Sequence, residues 1–128
     1  MQNDVIETAD APPAIGPYVQ AKRVAGFVFV SGQLPINPGT GAFPDGVEAQ
    51  TQQSLDNLAA ILRASGGSLS SVVKTTVFLK NMEDFARMNE VYATSFKDGA
   101  PARSTVEVAR LPRDALVEIE AVAYIGNQ

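Results

Sequence analysis

The stretch FVFVSG, residues 27–32, is apolar on both of its faces. Successive side chains of a strand point to opposite sides, so Phe27 and Phe29 face one way and Val28 and Val30 the other. The β-branched run SVVKTTVFLKN, residues 71–81, has the same character. A sheet made from such strands has two apolar surfaces. Helices cover one of them, and the second would lie in water unless a neighbouring subunit covers it. This stretch therefore predicts a homo-oligomer built on sheet faces.

The rest of the chain supplies the covering layer. Residues 46–65 read as a helix, because Leu55, Leu58, Ala59 and Leu62 recur at i, i+3, i+4 and i+7. Asp45 with Glu48 forms a capping-box pattern, and Gly66-Gly67 marks the stop. A second helix is predicted over 82–96. Asn81 is its cap, and Phe85, Met88, Tyr92 and Phe96 form one apolar stripe that reads as core. Residues 18–32 read as two strands joined at Ala25-Gly26, and 34–46 as a Pro- and Gly-rich loop. Two strands near 104–109 and 115–125 flank RLPRD. A further strand is expected at DVIET, and TADAPPAIGPY reads as an extended arm. The order ββ-α-β-α-ββ predicts an α+β domain spanning 1–128, with one mixed sheet and both helices on one face.

Composition narrows the chemistry. The 128 residues contain no cysteine and no histidine. Triads that need His, cysteine nucleophiles and the usual zinc sites are therefore excluded. No dinucleotide or phosphate-loop motif occurs, so neither cofactor nor metal is expected. Lys and Arg are scattered and the net charge is -4, which does not favour a nucleic-acid surface. The N-terminal stretch lacks the pattern of a signal peptide, and no apolar run has the length of a membrane span. A cytoplasmic protein is the expectation.

Arg103 follows Pro101 and Ala102 and then enters a strand. A permanently charged guanidinium there calls for an anion. By residue type two readings stand: a clamp for a ligand carboxylate, or an ion pair with Glu107 or Glu120. Glu118 and Glu120 share a strand face opposite Val117 and Ile119. Paired carboxylates also fit glycoside hydrolysis, but the chain shows no aromatic sugar platform. Solvated strand residues are the other reading. Tyr18, after Pro17, can hydrogen-bond a ligand while its ring walls a pocket, or serve as an interface aromatic. Ser31 and Gly32 end a strand where a backbone can approach a ligand closely, or simply turn. Asn89 lies off the apolar stripe of the second helix.

Five blocks, in order, carry a resemblance: APPAIGPYVQA, VSGQLP, QTQQSLDNLAAIL, VVKTTVFLKNMEDFARMNEVYATSF and PARSTVEVARLPRDALVEIEAVA. Together they resemble the Rid family of reactive intermediate deaminases, also called the YjgF family, from about Ala11 to Ala123. The PARS block is closest to its RidA branch.

The resemblance implies a chorismate-mutase-like fold and a homotrimer whose sheets face a central barrel, with clefts between subunits. It implies 2-iminobutanoate/2-iminopropanoate deaminase activity on enamine and imine acids released by pyridoxal-phosphate dehydratases, giving a 2-keto acid and ammonia. It makes Arg103 the carboxylate clamp, Glu118 the acid that handles water and protons, and Tyr18 a wall of the cleft. Glu120 is then a supporting charge. Ser31, Gly32, Asn89 and the backbone N–H of Thr105 are the remaining expected substrate contacts. Thr105 stands where this branch often has Cys, and Ala100 where a bulky residue is common. The alternatives are a keto-acid-binding regulator without turnover and, disfavoured by charge, a ribonuclease or translation inhibitor.

Overall fold

The two-faced strands pair into a single mixed sheet. The computed structural model describes residues 4–126. Its strands are β1 (Asp4–Ile6), β2 (Ala21–Val24), β3 (Phe27–Gln33), β4 (Val72–Leu79), β5 (Ala102–Glu107) and β6 (Val117–Tyr124). They run in the order β1-β2-β3-β6-β4-β5. The β4–β5 pair is parallel and the other pairs are antiparallel. The helices are α1 (Val47–Ala64) and α2 (Phe85–Ser95). The fold is α+β, with six strands and two helices.

Local chemistry accounts for the elements. Ala25 and Gly26 both take positive φ, 51° and 85°, the geometry whose twist suits a two-residue hairpin. Val24 consequently pairs with Phe27, and β2 and β3 stay in register. In α1, Leu55, Leu58 and Leu62 are fully buried, joined by Ile61. Ala59, assigned to that stripe from spacing, is only half-buried. The helix stops at Gly66-Gly67, where Gly67 N–H donates to Leu62 O at 2.8 Å.

The expected Asp45/Glu48 capping box does not form. Gly46, at φ 88°, is the N-cap residue, and no side chain caps the helix. The chain enters one residue later than an Asp45 cap requires, which seats Val47 in the core. Residues 82–96 are likewise not one α-helix. Met82–Asp84 form a 3-10 turn capped by Asn81, whose Oδ1 accepts from Glu83 N–H at 2.9 Å, and α2 begins at Phe85. Tighter turns of this kind are common at helix starts. The fifth strand begins at Ala102, two residues before the expectation, because Lys74 already pairs with Ala102.

The core lies between one sheet face and both helices. Val28, Val30, Val77, Leu79, Val117 and Ile119 meet Leu55, Leu58, Ile61 and Met88 there. On the other face Phe27 stacks 4.9 Å from Tyr124 and 6.4 Å from Phe29. Phe29 remains 50% exposed and Tyr124 47% exposed. Both helices are thus spent on one face, as the alternation predicts, and the aromatic face is open in the single chain.

Buried amides fasten the loops to this core. Asn57, 1% exposed, sits on α1 and donates to Leu34 O at 3.1 Å and Ile36 O at 2.9 Å. Its own Oδ1 accepts from Gln53. Replacing Asn57 with Leu keeps the branched outline of the side chain and leaves those carbonyls without their donor. An unmet buried polar group costs about 1–3 kcal/mol. Asn57→Leu is expected to lower the unfolding free energy by about that amount in urea titrations, with the m-value unchanged.

Candidate functional site

Strand alternation sends the sequence-derived residues to two different faces. Arg103 and Thr105 occupy β5, the edge strand, in register with Thr75 and Val77 of β4. Thr75 and Val77 belong to the buried, helix-covered face. Arg103 therefore lies on the side of α2, and its guanidinium carbon stands 4.7 Å from the Tyr92 ring centre and 5.5 Å from that of Phe85. Phe85 and Tyr92 are seven residues apart and share one helix face. The Tyr92 hydroxyl is fixed by Thr75 Oγ1 at 2.6 Å. Burial raises the Tyr92 pKa, against the opposing effects of the Thr75 bond and the Arg103 charge. The phenol stays neutral, and its ring is a cation platform.

Arg103 has no carboxylate partner among the described residues. The ion-pair reading is corrected on both counts. Glu107 Oε1 accepts instead from Met82 N–H at 2.8 Å. Glu120 lies on the opposite face of the sheet, since its neighbours Ile119 and Ala121 are the buried ones. The guanidinium is held by ring faces with its hydrogen-bonding edge uncommitted to an acid.

Asn89 lies between Phe85 and Tyr92 along α2. Its Oδ1 and the Thr105 Oγ1 are buried, and neither has a hydrogen-bond partner among the described residues. Buried polar atoms are nearly always paired. Both atoms lie on the helix and the strand that carry the Arg103 cluster.

The second group gathers at the end of β3. Ser31 Oγ donates to Val19 O at 2.6 Å, and Ser31 N–H to Gln20 O at 2.9 Å. These bonds tie the arm that carries Tyr18 to the strand. Glu118 points to the helix-free face, opposite Phe78 of β4. Its carboxylate lies over Gly32. A Cβ at position 32 would come within 3.0 Å of the Glu118 carboxyl carbon and closer still to its Oε2. Gly32 is therefore a space requirement as well as a strand end. Burial raises the Glu118 pKa, and the like charge of Glu120 on the same face adds to it.

The structure thus brings Tyr18, Ser31, Gly32 and Glu118 into one cluster and Arg103, Thr105 and Asn89 into another. It does not bring the two together within one chain. Sequence reading missed Phe85 and Tyr92 as the seat of Arg103, because their spacing matches an ordinary core stripe. It also missed Gln20, which is buried and satisfies four backbone groups of the arm. Gln20 Nε2 donates to the carbonyls of Thr8, Ala11 and Pro12, and its Oε1 accepts from Thr8 N–H. No helix among the described residues is long and apolar enough to cross a membrane. None of their acidic side chains cluster as a metal site.

The fold and the sequence are similar to those of a known group of proteins. Residues 8–125 match the family model described as Endoribonuclease L-PSP. A RutC family protein of Pyrococcus horikoshii is 55% identical over 94% of this chain and 97% of its own length. The 2-iminobutanoate/2-iminopropanoate deaminase of Escherichia coli K12 is 51% identical over 92% of this chain and 94% of its own. The solved structure of E. coli TdcF with bound serine superposes with a TM-score of 0.92 at 48% identity, covering 94% of this chain and 98% of that one. The chain belongs to the Rid/YjgF family, whose model bears the endoribonuclease description.

Proposed function

We propose that this protein hydrolyses short 2-imino acids to 2-keto acids and ammonia, at clefts completed between subunits of a homotrimer. The observation that carries the reading is Arg103: a guanidinium seated on two aromatic rings with no acid to neutralise it among the described residues. A ligand carboxylate is the complementary anion, and the planar fork pairs with it through two parallel bonds. The E. coli relative named for this deamination, at 51% identity, supports the substrate class.

The opposite-face placement supports the assembly. Glu118 opens on the face carrying Phe27, Phe29 and Tyr124, and Arg103 sits at the β5 edge beside α2. A second copy that lays its β5 edge against the aromatic face of the first covers the apolar patch. The same contact sets its Arg103, Thr105 and Asn89 against the Tyr18, Ser31, Gly32 and Glu118 group. A head-to-tail contact of this kind generates a closed ring when its rotation closes, and three copies make the proposed trimer.

In the cleft, Arg103 fixes the substrate carboxylate and the Thr105 backbone N–H faces the adjacent imine group. Glu118 holds a water over the imine carbon and takes its proton as the C–O bond forms. The C=N π pair moves to nitrogen, which acquires a proton. The carbinolamine then collapses: its hydroxyl proton passes by way of Glu118 to the amino nitrogen, C=O forms, the C–N bond breaks and ammonia departs. The raised pKa of Glu118 suits a group that accepts and returns a proton. Asn89 Oδ1 and Thr105 Oγ1 supply acceptors for N–H or water. No step draws on a cofactor. The endoribonuclease description finds little support in dispersed basic residues and a net charge of -4.

Sedimentation equilibrium at micromolar concentration is expected to give a trimer, and a clean monomer removes the shared cleft. Arg103→Lys keeps the charge but loses the fork. One lost charge-assisted hydrogen bond is worth about 1.5–3 kcal/mol, on the order of a tenfold to hundredfold loss of rate. The assay couples a threonine dehydratase to the protein and follows keto-acid formation, with circular dichroism as the folding control. A folded, trimeric, fully active Arg103→Lys would make Arg103 structural. Binding of 2-ketobutyrate without turnover would point to a regulator.

Glu118 yields a pH test. Its folded pKa is raised, so the folded state holds the proton more tightly than the unfolded one. Stability then falls as pH rises from the ordinary carboxylate range through the raised folded pKa. Activity moves the other way, since a proton acceptor must be ionised. Glu118→Gln is expected to lose turnover while keeping keto-acid binding. Its stability relative to wild type should improve as pH rises to neutrality, as read by urea unfolding at a series of pH values. A wild-type stability advantage that grows with pH would contradict the burial argument.

A further inference from the structure

Thr75 is an unusual residue for its place in the core. It shares the helix-covered face of β4 with Val77 and Leu79 and is almost as buried as they are. Its hydroxyl lies 2.6 Å from that of Tyr92, which is buried on α2. The Tyr92 ring centre stands 4.7 Å from the Phe96 ring centre and 4.7 Å from the Arg103 guanidinium carbon. Arg103 is itself the register partner of Thr75 across β4 and β5. The three residues therefore close a loop. Strand pairing joins Arg103 to Thr75, the hydroxyl bond joins Thr75 to Tyr92, and the ring face joins Tyr92 back to Arg103. A core that needed only volume here would be served by Val and Phe, which bring no polar atom to satisfy.

We propose that Thr75 and Tyr92 are positioning residues for Arg103: their hydroxyl bond fixes the ring on which the guanidinium lies, and so the direction in which its donors meet a ligand carboxylate. The inference rests on the deaminase reading for the identity of that anion. Both residues act through Arg103, and neither is asked to touch the substrate. An unpinned ring can tilt and slide, and a planar cation lying on it follows. Two parallel bonds to a carboxylate require the fork and the carboxylate to share a plane, so a tilted guanidinium keeps one bond and weakens the other. A binding group held by packing and by a supporting hydrogen bond keeps its geometry when the ligand is absent. Thr75 supplies that support from the strand next to the one that carries Arg103.

Calorimetric titration with 2-ketobutyrate reads the pair independently of turnover. Thr75→Val and Tyr92→Phe are each expected to weaken binding about three- to tenfold, the range in which one hydrogen bond acts. Thr75→Ser keeps the hydroxyl, loses a methyl and should bind like the wild type. A role in packing alone predicts the reverse order, because Val fills the site better than Ser. The double variant Thr75→Val/Tyr92→Phe leaves no hydroxyl of the pair unmet. Urea unfolding should show it at least as stable as either single variant, while its affinity stays low. In an Arg103→Lys background the same substitutions should change affinity by less than about twofold, since an ammonium has no plane to orient. Wild-type affinity in folded Thr75→Val and Tyr92→Phe, or equal losses with and without Arg103, overturns the positioning role. A loss at Arg103→Lys with none at either partner removes that role and leaves the deaminase reading intact. The expected pattern of binding with no imine hydrolysed keeps the role and removes the deaminase. Absence of 2-ketobutyrate binding by the wild type removes the clamp and this inference with it.

Discussion

The architecture depends on the two-residue period of its central strands. In β3, β6 and β4 every second side chain enters the core beneath α1 and α2, and the residues between them have no layer of their own. That single constraint fixes where the helices pack and leaves Phe27, Phe29 and Tyr124 facing outward as a contiguous aromatic cluster. It also divides the candidate site residues. Glu118 follows Val117 on one strand and must point away from the core. Arg103 aligns with Thr75 on the buried face, so it must meet α2. A one-residue slip in β6 would exchange its faces and bury Glu118 and Glu120, and the same slip in β5 would turn Arg103 away from α2.

Much of this was legible from the residues because alternation is a local property. The mixed sheet, the helix-covered face and the direction of Glu118 relative to Val117 and Ile119 follow from pattern alone. The hairpin at Ala25-Gly26 was legible for the same reason. The helix starts were not. A capping pattern at Asp45 and Glu48 is permissive, and the placement of Val47 in the core decided where α1 begins. The seat of Arg103 was also hidden. Phe85 and Tyr92 read as core because aromatic residues at helical spacing look alike whether they pack on leucine or on a guanidinium. Only the parallel pairing of β5 with β4 distinguishes the cases, and a parallel pairing is long-range.

The loops show a second economy of design. Three of the almost wholly buried carboxamides, Gln20, Gln50 and Asn57, each bridge separate segments. Gln50 donates to Pro44 O and accepts from Leu116 N–H, joining the start of α1 to the approach of β6. A carboxamide offers donors and an acceptor without charge, so it can satisfy several backbone groups in a dry site. A carboxylate in the same place would bring the cost of an unpaired buried charge. The Pro-rich arm and the loop over 34–46 lack ladder hydrogen bonds, and these amides replace them. The walls around Gly32 are therefore positioned by the core rather than by the loops themselves.

The uncommitted edge of Arg103 is the feature hardest to explain as architecture. A guanidinium that merely stabilised the β5–α2 contact would gain from an acid, and Glu107 lies four residues along the same strand. Yet Glu107 is engaged by Met82 N–H, and Arg103 rests on rings. Stacking suits Arg because its planar, weakly hydrated head can lose water on its faces and keep its donors along the edge. An ammonium on the same rings would be attracted but not oriented. The Tyr92 hydroxyl, tied to Thr75, keeps one of those rings from rotating away. Two buried polar atoms without a partner among the described residues lie on the same two elements. Together these features describe a cation whose direction is fixed before its anion arrives. Under the proposed function that arrangement reduces the ordering required on binding and would align a ligand carboxylate for attack from the Glu118 side of a neighbouring copy.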